Sequence, residues 1–167
     1  MASVLEFRLT GGSANSDPDS SLGGRMSSVE LSNTAMNNLF DNVSPSEAQA
    51  GDTEYRMIDV YNSGDATAET VEIYVSSPTT SPSSTIHLGY DATNNSHDPN
   101  ADLQTLSDES TAPTSPAMTI GEHIEASKLA LPDINVGESV RVCVKRIISA
   151  SATNTANDSG TIAVQYA

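Results

Sequence analysis

Thr53-Glu54-Tyr55-Arg56-Met57-Ile58-Asp59-Val60-Tyr61-Asn62 and Glu69-Thr70-Val71-Glu72-Ile73-Tyr74-Val75-Ser76 are two apolar-rich segments separated by the turn residues Ser63-Gly64-Asp65-Ala66-Thr67-Ala68. In the second, Val71, Ile73 and Val75 face one way and Glu72 and Tyr74 the other, the period-2 signature of a half-buried strand. Thr85 to Tyr90 repeats the alternation with Ile86, Leu88 and Tyr90. The connection before it holds Pro78 and Pro82, which cannot donate to a ladder, so it is no central strand. The three segments read together as an antiparallel meander.

Working outward, Val4 to Leu9 alternates with Leu5, Phe7 and Leu9 against Glu6 and Arg8. Met26 to Leu31 reads as a short strand. Met36 to Val43 offers Leu39, Phe40 and Val43 as a hydrophobic plug, with a short turn as the alternative. Ser44-Pro45-Ser46-Glu47 carries an N-cap serine with proline at the first helical position, predicting one helical turn through Ala50. In Ala117 to Lys128, Met118 and Ile120 indicate a strand, and Glu122 to Lys128 has a helical turn as its alternative. Gly137-Glu138 launches a long strand, Ser139 to Ser149. Ser159 to Tyr166 is the last strand, with Ile162, Val164 and Tyr166 expected inward. Seven to eight short strands with turns between them predict one all-β domain over residues 1–167. Its expected form is an antiparallel β-sandwich, immunoglobulin-like or jelly-roll-like, with a core of Val, Ile and Leu. Two long polar loops, about 10–25 and 91–116, are expected to find their order at interfaces with neighbours.

The 167 residues include 22 Asp and Glu against 7 Lys and Arg, a formal net charge of -15, and no Trp. Such a surface repels phosphate, which argues against a nucleic-acid partner. No apolar run approaches the roughly 20 residues of a membrane-spanning helix, and the N-terminus shows no basic-then-apolar leader, so the expectation is a product made in the cytoplasm that stays there or joins an assembly. Ser and Thr make up about a quarter of the chain, and the only lysines are Lys128 and Lys145. Scarce lysine and abundant carboxylate fit a high-salt environment, where screening removes self-repulsion. The single cysteine, Cys143, lies in Val140-Arg141-Val142-Cys143-Val144 and reads as a packed, inert thiol.

Candidate chemistry is sparse. His87, His97 and His123 have no ligand spacing between them. There is no Gly-x-Ser-x-Gly elbow and no phosphate-cradling glycine loop. No catalytic residue and no organic cofactor are assigned, and a non-enzymatic protein is expected. Asp17 and Asp19 in the first loop, and Asp91, Asp98 and Asp102 with Asn94 and Asn95 in the second, offer the hard oxygens that Ca2+ or another cation prefers; the alternative is a solvated acidic loop. Arg25, Arg141, Lys145 and Arg146 are scarce cations on an anionic chain. They are candidates for pairing with a carboxylate-rich partner or a second copy, with intrachain pairing as the alternative.

The order of several motifs resembles a known group. Leu9-Thr10-Gly11-Gly12 through Asp17-Pro18-Asp19-Ser20-Ser21-Leu22-Gly23-Gly24 is followed by Asn38-Leu39-Phe40-Asp41-Asn42-Val43 and Gly51-Asp52-Thr53-Glu54-Tyr55-Arg56. Asp108-Glu109-Ser110-Thr111-Ala112-Pro113, Val144-Lys145-Arg146 and Asn157-Asp158-Ser159 come later. This arrangement resembles a family of small virion structural proteins of tailed viruses of bacteria and archaea, here in an acidic, halophile-type version. The resemblance implies a virion location and partners among other virion proteins, either the major capsid protein or tail proteins, with a homo-oligomer likewise implied. It implies an outer-capsid decoration, cement or turret role, with a tail or baseplate component as the alternative. From another class, a surface carbohydrate-binding module is kept as a competitor. Separately, Val60 to Asp65 with Leu131 to Val144 is similar to the adhesion-type immunoglobulin-like pattern, which implies fold alone.

Overall fold

A computed structural model describes residues 2–34, 36–92, 95–114 and 118–167. Its strands are β1 Leu5–Thr10, β2 Gly23–Gly24, β3 Met26–Glu30, β4 Asp52–Asn62, β5 Glu72–Ser77, β6 Ser84–Tyr90, β7 Leu103–Thr105, β8 Thr119–Gly121, β9 Leu129–Ala130, β10 Ser139–Ile148 and β11 Thr161–Gln165. Among the described residues the one α-helix, α1, is Pro45–Ala50. Its start is at the expected N-cap, Ser44, where the structure adds a capping box: Ser44 Oγ accepts from Glu47 N, and Glu47 Oε2 accepts from Ser44 N at 2.6 Å.

The strands form an antiparallel sandwich. One sheet has six strands in the order β3-β1-β4-β10-β6-β8, and the facing sheet has three, β11-β5-β9. The spine is the β4–β10 ladder, which runs unbroken from Ser139 opposite Tyr61 to Ile148 opposite Asp52. Between the sheets, Ile58, Val60, Leu88, Val140, Val142 and Val144 pack against Val71, Ile73 and Val75. The opposite face of the spine is covered as well: Tyr55, Met57 and Cys143 pack with Leu106, Leu22, Met118 and Ile120. Burial on both faces explains why β4 and β10 do not alternate between buried and exposed along their length.

The expected meander does not form. β4 lies between β1 and β10, β5 pairs with β11 and β9 in the other sheet, and β6 returns beside β10. Alternation marks which face of a strand is buried and leaves its neighbour undecided. Here the apolar faces of β5 and β6 meet across the sandwich rather than edge to edge. Two smaller expectations are also revised. Glu122 to Lys128 forms a turn rather than a helical segment, with Ile124 bridging Val75 in parallel. Tyr166 is 39% exposed, and its hydroxyl donates to Ser3 O at 3.2 Å. Of the expected plug, Leu39 is buried in the core, Phe40 is half-buried and Val43 is exposed.

The described parts of the two long loops are tied to the sheet within the chain. β2 of the first pairs with β7 of the second. Met57 N donates to Ser21 O at 2.8 Å and Tyr55 N to Glu109 O at 2.7 Å, so both loops run along the edge of β4 that β1 leaves open. Thr10 and Ser21, both buried, each donate a hydroxyl to Met57 O. Gly23 has no substitute at φ +113, because a Cβ there would lie 2.0 Å from Gln104 O on β7. Asn94 and Pro116, which the sequence reading placed in the second loop, lie outside the described residues.

Candidate functional site

Where β4 and β10 extend beyond the apolar core, the inner face changes from valine to charge. Glu54 and Arg146 stand directly opposite each other in the ladder. Arg146 Nη2 donates to Glu54 Oε1 at 2.8 Å and Nε to Glu54 Oε2, a two-point guanidinium–carboxylate pair. Arg146 also holds the 39–41 segment, through Nη1 to Asp41 O at 2.8 Å and Nη2 to Asp41 Oδ1 at 3.3 Å. Two residues before Ile58, the fully buried Arg56 donates to Leu39 O at 3.2 Å, to Glu109 Oε2 at 2.6 Å and to Asp19 Oδ1 at 3.3 Å. The Phe40 ring lies 5.3 Å from the Arg56 guanidinium and 4.8 Å from that of Arg146.

Three carboxylates, Asp41, Glu54 and Glu109, place oxygens within 4.8 Å of one another. Two guanidiniums pair with these three carboxylates and offset two of the three charges, and Asp19 adds a fourth carboxylate through Arg56. Burial pushes the Glu54 carboxyl above its ordinary range, and Arg146 opposes that rise. A shallow depression lined by Asp19, Leu22, Asp41, Ser107, Asp108 and Glu109 opens over the group.

On the other face of the spine a second pair repeats the arrangement. Arg141 stands opposite Asp59, with Nε to Oδ1 at 2.9 Å and Nη2 to Oδ2 at 3.0 Å, and Nη2 also donates to Gly24 O at 2.7 Å. Asp59 is likewise raised by burial and held down by Arg141. Arg141 Nη1 is buried with no hydrogen-bond partner, and the residue lines a cavity of about 30 Å³ with Met57, Asp91, Asn95, Leu103, Gln104 and Met118.

The sequence-derived candidates separate accordingly. Asp17 caps the 3-10 turn, accepting from Asp19 N at 3.1 Å and Ser20 Oγ at 2.9 Å, while Asp19 turns to Arg56. Asp98 accepts from Asn100 N at 2.8 Å, Asp91 is buried at the small cavity, and Asp102 is exposed. Among the described residues these five do not gather into one cluster of three; the convergent trio is a different set. Arg141 and Arg146 take the intrachain alternative, buried against Asp59 and Glu54. Arg25 is exposed and bonds Asn100, and Lys145 lies over the Tyr55 ring at 5.8 Å. The missed members, Glu54 and Asp59, did leave a signal. They are five apart on β4, as Arg141 and Arg146 are on β10, so one antiparallel register places an ion pair on each face.

Burial pushes the Cys143 thiol up to about 12, which keeps it protonated and inert. His123 Nδ1 contacts Ser127 O at 3.0 Å, and His97 lies 3.4 Å from Glu138. His87 faces Lys145 across the ladder and is lowered by burial first and that charge second. No protein-family model, curated protein or solved structure matches the chain.

Proposed function

We propose that the protein is a non-enzymatic structural component of a tailed-virus particle, an outer-capsid decoration, cement or turret protein that acts by adhesion between subunits. The distribution of charge carries this reading. The three buried carboxylates, Glu54, Asp59 and Asp91, cancel the three buried arginines, Arg56, Arg141 and Arg146. Nineteen carboxylates and four cations remain outside, so the whole net charge of -15 lies on the surface. The buried arginines lock two loops and the 39–41 segment onto the spine, which favours a rigid block over a mobile binding cleft.

A surface of this kind stays soluble and repels nucleic acid, and concentrated salt removes its self-repulsion. That fits an exterior particle component of a halophilic system, and the resemblance in motif order supports a virion placement. The test is mass spectrometry and density assignment on purified particles. The protein should be present at the copy number of a capsid lattice. A copy number suited to a single ring would move it to the tail, and its absence from particles would overturn the proposal.

A further inference from the structure

β11 ends the three-stranded sheet, so one of its edges presents backbone N–H and C=O groups that β5 does not reach. An open edge is a template for another strand, and folded proteins usually blunt it with charge, proline, shortness or a covering segment. The other sheet ends are blunted in these ways. β9 has two residues and is followed by Leu131 and Pro132, and β8 has three. β3 is longer, but Ser28 N donates to Ser13 O at 3.0 Å and Ser27 Oγ to Asn15 O at 2.6 Å, which binds it to the first loop. β11, Thr161-Ile162-Ala163-Val164-Gln165, has no charge and no proline. Its irregularity lies at Thr161/Ile162 and leaves Ile162 to Gln165 in regular register with β5. Among the described residues, no backbone hydrogen bond outside that ladder reaches these five.

We propose that this edge joins two copies of the chain, β11 beside β11, antiparallel about a two-fold axis near Ala163. Charge selects the occupant. Over most of the surface, contact between two copies brings carboxylates together, with nineteen against four cations outside the buried set. Residues 159–167 carry no charged side chain, and in an antiparallel self-pairing this segment meets only itself. The two three-stranded sheets then join across the axis, with Ile162 and Val164 of each copy already seated on its own core. A pairing of five residues is well below the roughly 1,200–2,000 Å² of a standard interface. Association is therefore weak for free molecules and strengthens with salt and local concentration. It does not depend on the virion placement, because the isolated chain should show it.

Sedimentation velocity on the full chain, from micromolar to millimolar and in 0.15 M and 2 M NaCl, reads it directly. A dimer that grows with concentration and with salt is expected. In 0.15 M NaCl, Ala163→Glu and Ala163→Lys each place like charges across the axis and should weaken it about fivefold, while an equimolar mixture of the two should restore it as a heterodimer; in 2 M NaCl screening removes most of the difference. Wild-type chain that stays monomeric at millimolar concentration in 2 M NaCl would overturn the proposal, as would variants that dimerise like wild type, or a mixture that fails to recover, in 0.15 M NaCl. Amide exchange on the wild type supplies a readout free of substitutions: concentration-dependent protection should fall within β11, and protection confined elsewhere would count against it.

Discussion

Replacing Arg146 with methionine strands Glu54, a side chain 1% exposed that otherwise receives two guanidinium N–H groups. Removing one partner of a buried pair commonly costs about 3–5 kcal/mol. Protonation sets a ceiling on the charge part of this loss. Glu54 can escape as the neutral acid, and holding it protonated at pH 7 against an unfolded value of 4.5 costs at most about 3.4 kcal/mol, at about 1.36 kcal/mol per pH unit. The loss should therefore be about 3 kcal/mol at pH 7 and should shrink toward about 1 kcal/mol at pH 5, where the broken Asp41 and Phe40 contacts remain. The sign follows from linkage. The folded pKa lies above the unfolded one, so between them the native state binds more protons and stability falls as pH rises from 4.5 through the folded value. Urea unfolding followed by circular dichroism at pH 5, 6 and 7 and fixed salt measures it. Adding Glu54→Gln removes the stranded charge, so the double variant should be more stable than Arg146→Met alone by about 2 kcal/mol at pH 7. A loss under about 1 kcal/mol, a loss that does not change with pH, or no recovery in the double variant would refute the reasoning.

Thr70 holds φ at 53°, which a β-branched residue adopts at a cost. Thr70→Gly should stabilise by about 1 kcal/mol and raise the melting temperature by about 2–4 °C in a scanning calorimeter. Ile58 is fully buried between the sheets, and Ile58→Ala should cost about 2–5 kcal/mol in urea unfolding. Cys143 should resist a thiol reagent at pH 8 until denaturant is added, and rapid native labelling would contradict its burial. Because the surface holds the whole negative charge, the urea midpoint should rise as the screening length falls from about 10 Å at 0.1 M salt to about 3 Å at 1 M. A flat or falling midpoint would refute the salt argument.

The sequence by itself determined the local features of this protein. The alternation at Leu5 and Phe7, at Val140, Val142 and Val144, and at Ile162 and Val164 names the face each strand turns to the core between the sheets, since side chains on a strand point to opposite sides every second residue. Ser44 to Glu47 specifies the start of α1 because its capping bonds are made within four residues. The tertiary structure alone decided which strands are neighbours and where the charges go. Glu54 meets Arg146 across 92 residues, Asp59 meets Arg141 across 82, and Arg56 meets Glu109 across 53. No local period encodes those distances. They are fixed when β4 and β10 align, when β5 crosses to the second sheet, and when two polar loops close over the other face of the spine. Arg141 and Arg146, which looked free in the chain, are thereby drawn inside with Arg56, while Arg25 and Lys145 stay outside and the exterior is left as acidic as the composition had indicated.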